Sequence, residues 1–511
     1  MQARIKTQPY DCFEPVFDSS FEAPIDTEYN LPDYCADIQK LLKCQVTPEI
    51  SGYIVTDDTL TCDGVCDVRV LYLDAKGGRI HCADFTKDFS ASVHLKTTAE
   101  KAVACVQASV EHASCRAVSA RRLDLHITVS LKALAVAQRQ EMIAGDLEDE
   151  TIEKLQSRHQ ASRAVNALSH QFTLEDTLTL KNGKPPIEAI LRKSASCRIA
   201  DYRPSEGQLS VTGSAEVSFL YLPAVEGTPA ERMSTSLDFT QIIDCIGADD
   251  SCVCDLRATV GECSLQPKED DVGEYTAVSI LMKLFVTAFL YKSCEVEIID
   301  DAYSVKTPLS LRYGQGAFLK AEGIHSEVLK KKFTLPVSED GIEKILDIWC
   351  EQDSVQSACD KGKLNYRVKY NICMLYQTGG GDVLYAEKTY DYTAATELSA
   401  DQPKKTDTTS RTDIWEYRIA DRNTVELSVE TSVTVFLSSK TNVNYITSVE
   451  SDENAAPYDS GSRLIVYYAD AEERIWDIAK NHRAKLADIQ EQNGLYEETV
   501  GESQPIIILG R

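Results

Sequence analysis

The feature of this sequence that most constrains its fold is a pattern of residues that occurs three times. In each copy an isoleucine is followed, after the same 34 positions, by a tyrosine: Ile38 and Tyr72, Ile187 and Tyr221, and Ile342 and Tyr376. A leucine lies 12 positions before each tyrosine, at Leu60, Leu209 and Leu364. Because chance rarely preserves such spacing without a gap, we interpret the chain as three copies of one module.

Each copy also shows the same order of local patterns. It begins with apolar residues at i, i+3 and i+4, which predict a short helix with one apolar face. These residues are Ile38 with Leu41 and Leu42, Ile187 with Ile190 and Leu191, and Ile342 with Ile345 and Leu346. Later strands alternate apolar and polar residues, as from Leu123 to Leu131, so one face lies in a core. The sequence therefore predicts a mainly β (α+β) fold of three antiparallel β-sandwich-like modules, each with a short N-terminal helix.

Changes in pattern along the chain predict its domain organisation. The modules are placed at residues 20–140, 171–300 and 333–450. A helical linker is predicted at 141–170, further linkers at 301–332 and 451–461, and a small fourth domain at 462–511. At 511 residues the chain has room for about three or four domains, which agrees with this division.

The C-terminal segment predicts a small βααβ domain. A strand at 463–468 is followed by helices at 473–483 and 486–492 and by a closing strand at 505–509, with Asn493 and Gly494 as a helix stop. The segment resembles the LysM module at Tyr467, Ile475, Trp476, Ile478, Ala479, Leu486, Ile489, Asn493 and the strand from Ile506 to Leu509. LysM modules that bind N-acetylglucosamine polymers usually carry Gly-Asp-Thr just before a Leu-Trp or Ile-Trp pair. Before its Ile475-Trp476 pair this chain has Glu472, Glu473 and Arg474 instead. The substitution of glutamate for glycine disfavours a close approach of a sugar to the backbone.

Charge and cysteine content limit the classes of ligand and compartment. The net charge of −27 argues against nucleic acid or an anionic lipid surface as the main ligand. Seventeen cysteines without dense regular spacing predict thiols in a reducing cytoplasm rather than a disulfide scaffold. We see no signal peptide, and the apolar run from Val278 to Tyr291 is too short for a membrane helix.

Motifs that carry catalysis or bind metals are not found in the sequence. Neither Gly183-Lys184 nor Gly362-Lys363 continues as a phosphate-binding loop, and no HExxH or GxSxG motif occurs. The cysteines that could supply zinc thiolates are Cys62 and Cys66, and Cys245, Cys252, Cys254 and Cys263. Because no CxxC knuckle is present, buried thiols are favoured over a zinc site. The expectation is a protein without catalytic residues, metal or cofactor, and not an enzyme.

The combination of these features resembles the SipL family of spore-coat morphogenetic proteins of endospore-forming clostridia. The resemblance rests on the LysM-like tail and on the start of the first copy, with Leu31-Pro32-Asp33, Asp37-Ile38 and Leu41-Leu42. It implies a protein of the mother-cell cytoplasm that assembles at the forespore surface. It also implies that the LysM-like tail binds the SpoIVA-type ATPase, while the repeated modules carry no assigned chemistry.

Residues of the tail are the candidates for binding a partner. Aromatic residues are enriched at interface hot spots, although one of each aromatic pair is expected in the core. The candidate partner-binding residues are Trp476, Tyr468, Tyr467, Arg474 and Ile475. The alternative hypothesis is a protein that binds peptidoglycan or another N-acetylglucosamine polymer through this tail.

Overall fold

The fold consists mainly of antiparallel β-sheet. The computed structural model describes residues 5–74, 79–96, 102–149, 151–180, 183–225, 227–337, 340–398, 404–451 and 463–510. These residues form twenty strands in seven small sheets, and two short helices. Neither helix is long and apolar enough to span a membrane.

The first module contains six strands in two three-stranded sheets. They are β1 (Ile5–Asn30), β2 (Ile38–Thr56), β3 (Thr59–Asp74), β4 (Ile80–His94), β5 (Val103–Ser119) and β6 (Arg122–Leu147). One sheet has the order β1-β6-β5 and the other β2-β3-β4. The alternating residues of β6, such as Leu123, Leu125 and Ile127, are buried between the two sheets. The predicted alternation therefore does place one face of this strand in the core.

The second module repeats this arrangement. Its strands are β7 (Ile152–Thr179), β8 (Ile187–Ser205), β9 (Gln208–Pro223), β10 (Glu231–Asp244), β11 (Cys252–Glu269) and β12 (Tyr275–Ser304). The sheets have the orders β7-β12-β11 and β8-β9-β10. The central strand β12 is largely buried on both faces, as the near-continuous apolar run in its sequence indicates.

The third module has the same topology. Its strands are β13 (Leu309–Pro336), β14 (Lys344–Asp360), β15 (Lys363–Gln377), β16 (Val383–Glu397), β17 (Lys405–Asp421) and β18 (Thr424–Ser451). The sheets have the orders β13-β18-β17 and β14-β15-β16. The repeated leucines and tyrosines are buried at equivalent places, with Leu60, Leu209 and Leu364 fully enclosed. The mainly β fold and the repetition of the module are thus confirmed.

The short helix predicted at the start of each copy is wrong, because these residues lie at the start of strands β2 and β8 and, apart from Ile342 just before it, of β14. The apolar spacing has a different origin. In β2 the register shifts between Ile38 and Lys40 and again between Leu41 and Lys43, so the strand does not alternate strictly. Ile38 and Leu41 therefore face the core of their own module while Leu42 faces the neighbouring modules. The bulges reproduce the i, i+3, i+4 spacing of a helix.

The predicted linkers between modules are also strands. Residues 141–170, predicted as a helical linker, form the end of β6 and most of β7. The linker predicted at 301–332 comprises the end of β12 and most of β13. The polar composition of these segments reflects strands with one face towards solvent. The third predicted linker, 451–461, lies outside the described residues apart from Ser451.

A separate hydrophobic cluster joins the three modules. Its members come from the β2-β3-β4 sheet and from the two equivalent sheets: Leu42, Leu71, Leu73, Ile80, Leu191, Leu220, Leu222, Ala230, Leu346, Trp349, Cys373, Leu375 and Val383. Leu42, Leu191 and Leu346 occupy the same position in the repeat. Since each module contributes equivalent apolar residues, the modules share one core around an approximate threefold axis.

Buried and half-buried ion pairs connect the modules beside this shared core. Arg192 of the second module donates from Nε to Oδ2 of Asp347 of the third, over 2.7 Å. Lys193 pairs with Glu49 of the first module at 2.8 Å, and Lys43 pairs with Glu351 of the third at 3.0 Å. Each of these pairs spans two modules. Because an ion pair requires its two charges to face each other, these pairs specify how the modules are oriented, which hydrophobic contact alone does not.

Candidate protein-interaction site

The C-terminal residues form a compact unit with the predicted element order. Strand β19 (Arg463–Ala469) is followed by α1 (Ile475–His482), α2 (Leu486–Asn493) and β20 (Gln504–Gly510), and the two strands pair antiparallel. Gly494 ends α2 in the left-handed conformation, with φ of 65°, as its sequence predicts. The core of the unit is formed by Ile475, Ile478, Ala479, Ile489, Val500, Ile506 and Ile508.

One face of this unit packs against the second module. Tyr303 at the end of β12 lies in the same hydrophobic cluster as the tail, together with Leu155 of β7. The rings of Tyr303 and Trp476 meet edge to face with 4.9 Å between their centroids. The Tyr303 hydroxyl donates a hydrogen bond of 2.8 Å to the carbonyl of Ala484. The helical face of the tail is therefore already occupied within the chain.

Asp301 is the polar centre of this contact. Its Oδ2 accepts hydrogen bonds from the indole Nε1 of Trp476, at 2.9 Å, and from Nζ of Lys480, at 2.5 Å. Burial acts to raise the pKa of Asp301, but the hydrogen bonds from Lys480 and Trp476 outweigh it and hold this pKa below its usual range. The carboxylate consequently stays ionised and fastens α1 to the end of β12.

The turn before α1 departs from the glycine expected for a sugar-binding LysM module. Glu472 has a φ of 68°, in the left-handed region that favours glycine. The Glu473 carboxylate accepts hydrogen bonds from the Tyr467 hydroxyl at 2.8 Å and from the backbone N–H of Asp470 at 3.1 Å. The hydrogen bond with Glu473 raises the pKa of Tyr467. The Glu473 side chain thus closes this turn.

Replacement of Glu472 by glycine should stabilise the tail. A left-handed conformation costs a residue with a Cβ about 1–2 kcal/mol, and Glu472→Gly removes this cost. We expect the free energy of unfolding of the tail to rise by about 1 kcal/mol, measured by denaturant titration. Ala471→Gly, at a neighbouring position without a positive φ, is the matched control. It should lower the free energy of unfolding, because glycine gains freedom in the unfolded chain and relieves no strain there. Equal destabilisation by both changes would contradict this account.

The outer face of the β19-β20 sheet is apolar and exposed. Cross-strand pairs on this face are Leu464 with Leu509, Val466 with Ile507, and Tyr468 with Pro505, and all six side chains are exposed. Tyr468 is 77% exposed and Leu464 67%. Scattered exposed apolar residues are ordinary, but a contiguous patch marks a site of interaction. We call these six residues the outer sheet face.

The structure separates the five residues that the sequence suggested for partner binding. Trp476 and Ile475 are buried, at 4% and 1% exposure, and Trp476 contacts the second module. Tyr467 is half-buried beside Glu473, whereas Tyr468 and Arg474 are exposed. Only Tyr468 of the five belongs to the outer sheet face. The other residues of this face were missed, although the runs Leu-Ile-Val-Tyr-Tyr and Pro-Ile-Ile-Ile-Leu are apolar on both faces of their strands.

A polar cavity lies where the three modules meet. Its volume is about 880 Å³, and residues of β2, β5, β8, β11, β14 and β17 line it. The Lys193 ammonium in its wall is neutralised by Glu49 and by Asp67, at 2.8 and 3.1 Å. The charge of Lys193 thus joins the second module to the first.

The cysteines considered for zinc are placed in hydrophobic cores. Cys62 and Cys66 belong to the core of the first module, and Cys245, Cys252, Cys254 and Cys263 belong to that of the second. Burial raises the pKa of Cys254 to about 12, which keeps the metal-binding thiolate form scarce. Within the described residues, no group of three or more histidine, cysteine or acidic side chains is placed to hold a metal ion.

Comparison with known proteins finds one matching protein-family model. A model of the SipL, SPOCS domain matches residues 37–118 and 186–268. These two stretches correspond to strands β2 to β5 and β8 to β11, which hold the same positions in the first two modules. No curated protein and no solved structure matches the chain. The chain therefore carries two copies of a module similar to the SPOCS domain of the SipL family.

Proposed function

We propose that this chain is a non-enzymatic scaffold of spore-coat assembly that binds a SpoIVA-type ATPase through its C-terminal unit. The observation that carries the proposal is the outer sheet face, where six apolar side chains of a two-stranded sheet are exposed. A two-stranded sheet with apolar residues on both faces is poorly stable unless both faces are covered. One face lies on the helices of the tail, so the other is the surface for a protein partner.

The surroundings of the outer sheet face specify the contact further. Val466 and Ile507 form its central pair and Tyr468 lies beside them at one end, and large aromatic and aliphatic side chains supply most of the binding energy of an interface. Asp470 and Glu502 are exposed beyond the Tyr468 end. The complementary surface on the ATPase is expected to be apolar, with basic residues at one end.

The compartment follows from the same proposal. A protein that binds this ATPase acts in the mother-cell cytoplasm at the surface of the forespore, where the basal coat layer assembles. The alternative, binding of an N-acetylglucosamine polymer, is disfavoured because Glu472 replaces the glycine of sugar-binding LysM modules and the Glu473 side chain closes the turn that a sugar would approach. The three modules act as a rigid base for the tail, since Asp301 and Tyr303 hold it in place.

Charged substitutions on the outer sheet face should abolish capture of the ATPase. Val466→Glu and Tyr468→Glu place an unpaired charge in the interface, which costs more than the lost apolar contact. We expect the affinity for a purified SpoIVA-type ATPase to fall about tenfold or more, measured by biolayer interferometry with the full chain. Thermal unfolding followed by circular dichroism verifies that each variant remains folded.

Ile246→Glu is the matched control for these two variants. Ile246 is an apolar side chain with 85% exposure in the second module, remote in sequence from the tail. Its substitution should change the affinity less than twofold. Unchanged capture by both outer-face variants would contradict the proposed surface. Sedimentation of the wild-type chain with purified peptidoglycan would instead support the glycan alternative.

A further inference from the structure

The last part of strand β17 is an open edge of the third module. β17 lies at the end of its sheet, where it is hydrogen-bonded to β18. In its first half, Thr406 and Thr408 form hydrogen bonds with Ser357 of β14, and residues 406–412 are half-buried. From 415 to 421, by contrast, every residue is exposed. The free edge of this segment is therefore accessible to a further strand.

Large apolar side chains occupy the open segment. Trp415 is 74% exposed, Tyr417 44% and Ile419 40%. Tyr417 and Ile419 lie opposite Leu427 and Val425 of β18, whose side chains are buried in the core of the module. They are thus on the core-facing side of the sheet, yet the second sheet leaves them partly exposed. Exposed apolar side chains along a strand edge mark a place where another strand can pair.

The first module shows that packing within a module does not require these side chains. Its equivalent strand is β5, which carries Cys115 and Ala117 at the positions of Tyr417 and Ile419. This end of β5 is also exposed, apart from the half-buried Cys115. Since a module folds with small side chains at this edge, the large apolar residues of β17 are better explained by a contact outside the module.

The charges of the segment are complementary to the segment itself. Glu416 and Arg418 are both exposed and lie on either side of Tyr417. If two copies pair antiparallel around a twofold axis at Tyr417, Glu416 of each copy lies directly opposite Arg418 of the other. The same register places Trp415 opposite Ile419. Cross-strand pairs of opposite charge, and pairs of an aromatic with a β-branched residue, stabilise a sheet.

We propose that segment 415–421 of β17 is a self-association site, at which two copies of this chain join their β13-β18-β17 sheets into one continuous sheet. The bulge between Ile414 and Glu416 and the charges of Glu416 and Arg418 discourage pairing with unrelated strands. A second copy is the partner whose charges fit these positions. Arg418 also pairs with Glu426 of its own chain at 2.5 Å, and its guanidinium has donors for a second carboxylate.

The contact is short, so the association should be weak. Asp413 and Asp421 would oppose each other, which limits the favourable pairing to the residues between them. Such an interface buries less than the roughly 1,600 Å² that is usual for a stable complex. We expect a reversible dimer with a dissociation constant of about 1–100 µM.

The first test is sedimentation velocity of the reduced full-length chain at concentrations across this range. A salt concentration of about 0.15 M screens the repulsion between two chains that each carry a net charge of −27. The weight-average sedimentation coefficient should rise with concentration from the value of a monomer to that of a dimer. A chain that remains monomeric throughout would overturn the proposal.

Two charge variants test the register. Glu416→Arg opposes Arg418 of the partner with a second cation, and Arg418→Glu opposes Glu416 of the partner with a second carboxylate. Each variant alone should dimerise about tenfold more weakly or worse, because like charges face each other. An equimolar mixture of the two variants should regain the wild-type affinity, since every one of these positions then faces an opposite charge. Failure of the mixture to associate would contradict the register.

Two further variants are controls for the location of the interface. Arg116→Glu changes the equivalent cation of β5, which lies opposite Asp124 as Arg418 lies opposite Glu426. Val466→Glu changes the outer sheet face of the tail. Both should leave the dimerisation of the chain unchanged, and thermal unfolding followed by circular dichroism verifies that all four variants are folded. Loss of the dimer in Val466→Glu but not in Glu416→Arg would place the interface on the tail and overturn the proposal.

Discussion

Removal of the Asp347 carboxylate is expected to lower the free energy of unfolding by about 3–5 kcal/mol. Asp347 is 0% exposed and Arg192, its partner in the second module, is 2% exposed. Asp347→Ala would leave the guanidinium of Arg192 without its carboxylate, stacked over the ring of Trp349 at 4.7 Å. A buried charge that loses its partner keeps its full cost of desolvation, which explains the size of the effect.

The matched control replaces both charged residues. Arg192→Met with Asp347→Leu keeps the volume near the shared core but removes both charges, and such replacements are often neutral or stabilising. The measurement is urea unfolding of the wild type, the single variant and the double variant under identical conditions. If the double variant is as unstable as Asp347→Ala, the loss of apolar packing rather than an unpaired charge is responsible.

The internal repeat could be predicted from the sequence because the spacing between the repeated residues is the same in each copy, whatever secondary structure those residues form. The leucine and tyrosine positions of each copy are buried as their repetition implies. The short helix could not be distinguished from a bulged strand, since shifts at Ile38/Lys40 and Leu41/Lys43 produce the same apolar spacing. The shared core of the three modules also escaped prediction. It depends on contacts between residues more than a hundred positions apart, such as Leu42 and Leu191.

The candidate site was predicted only in part, again because its contacts join residues far apart in the chain. The sequence indicates that Trp476 and Tyr468 are interface residues, but not which surface each one meets. Trp476 meets Asp301 and Tyr303, residues of the second module that carry no local signal for this contact. Tyr468 points away from the helices because β19 alternates, and the pairing of Val466 with Ile507 extends its face over both strands. At Glu472, where the sequence departs from the LysM pattern, the backbone has a positive φ.

Truncation of Trp476 should produce the second large effect, the release of the tail from the second module. Trp476→Ala removes the edge-to-face contact with Tyr303 and one of the hydrogen bonds to Asp301. Deleting a buried tryptophan side chain costs about 3–5 kcal/mol, and a domain of about fifty residues has little stability beyond this. We expect amide hydrogen exchange in α1 and β20 to accelerate towards the unfolded rate, with the three modules unaffected.

Tyr468→Ala is the control for Trp476→Ala, because its exposed side chain contributes little to folding and should change the free energy of unfolding by less than about 0.5 kcal/mol. Unchanged exchange in Trp476→Ala would contradict the docking described here. The two variants also separate folding from recognition. Both are expected to lose the ATPase, but Trp476→Ala loses it because the tail unfolds, whereas Tyr468→Ala loses it with the tail intact. A loss of binding is therefore informative about the partner surface only when hydrogen exchange in α1 is unchanged.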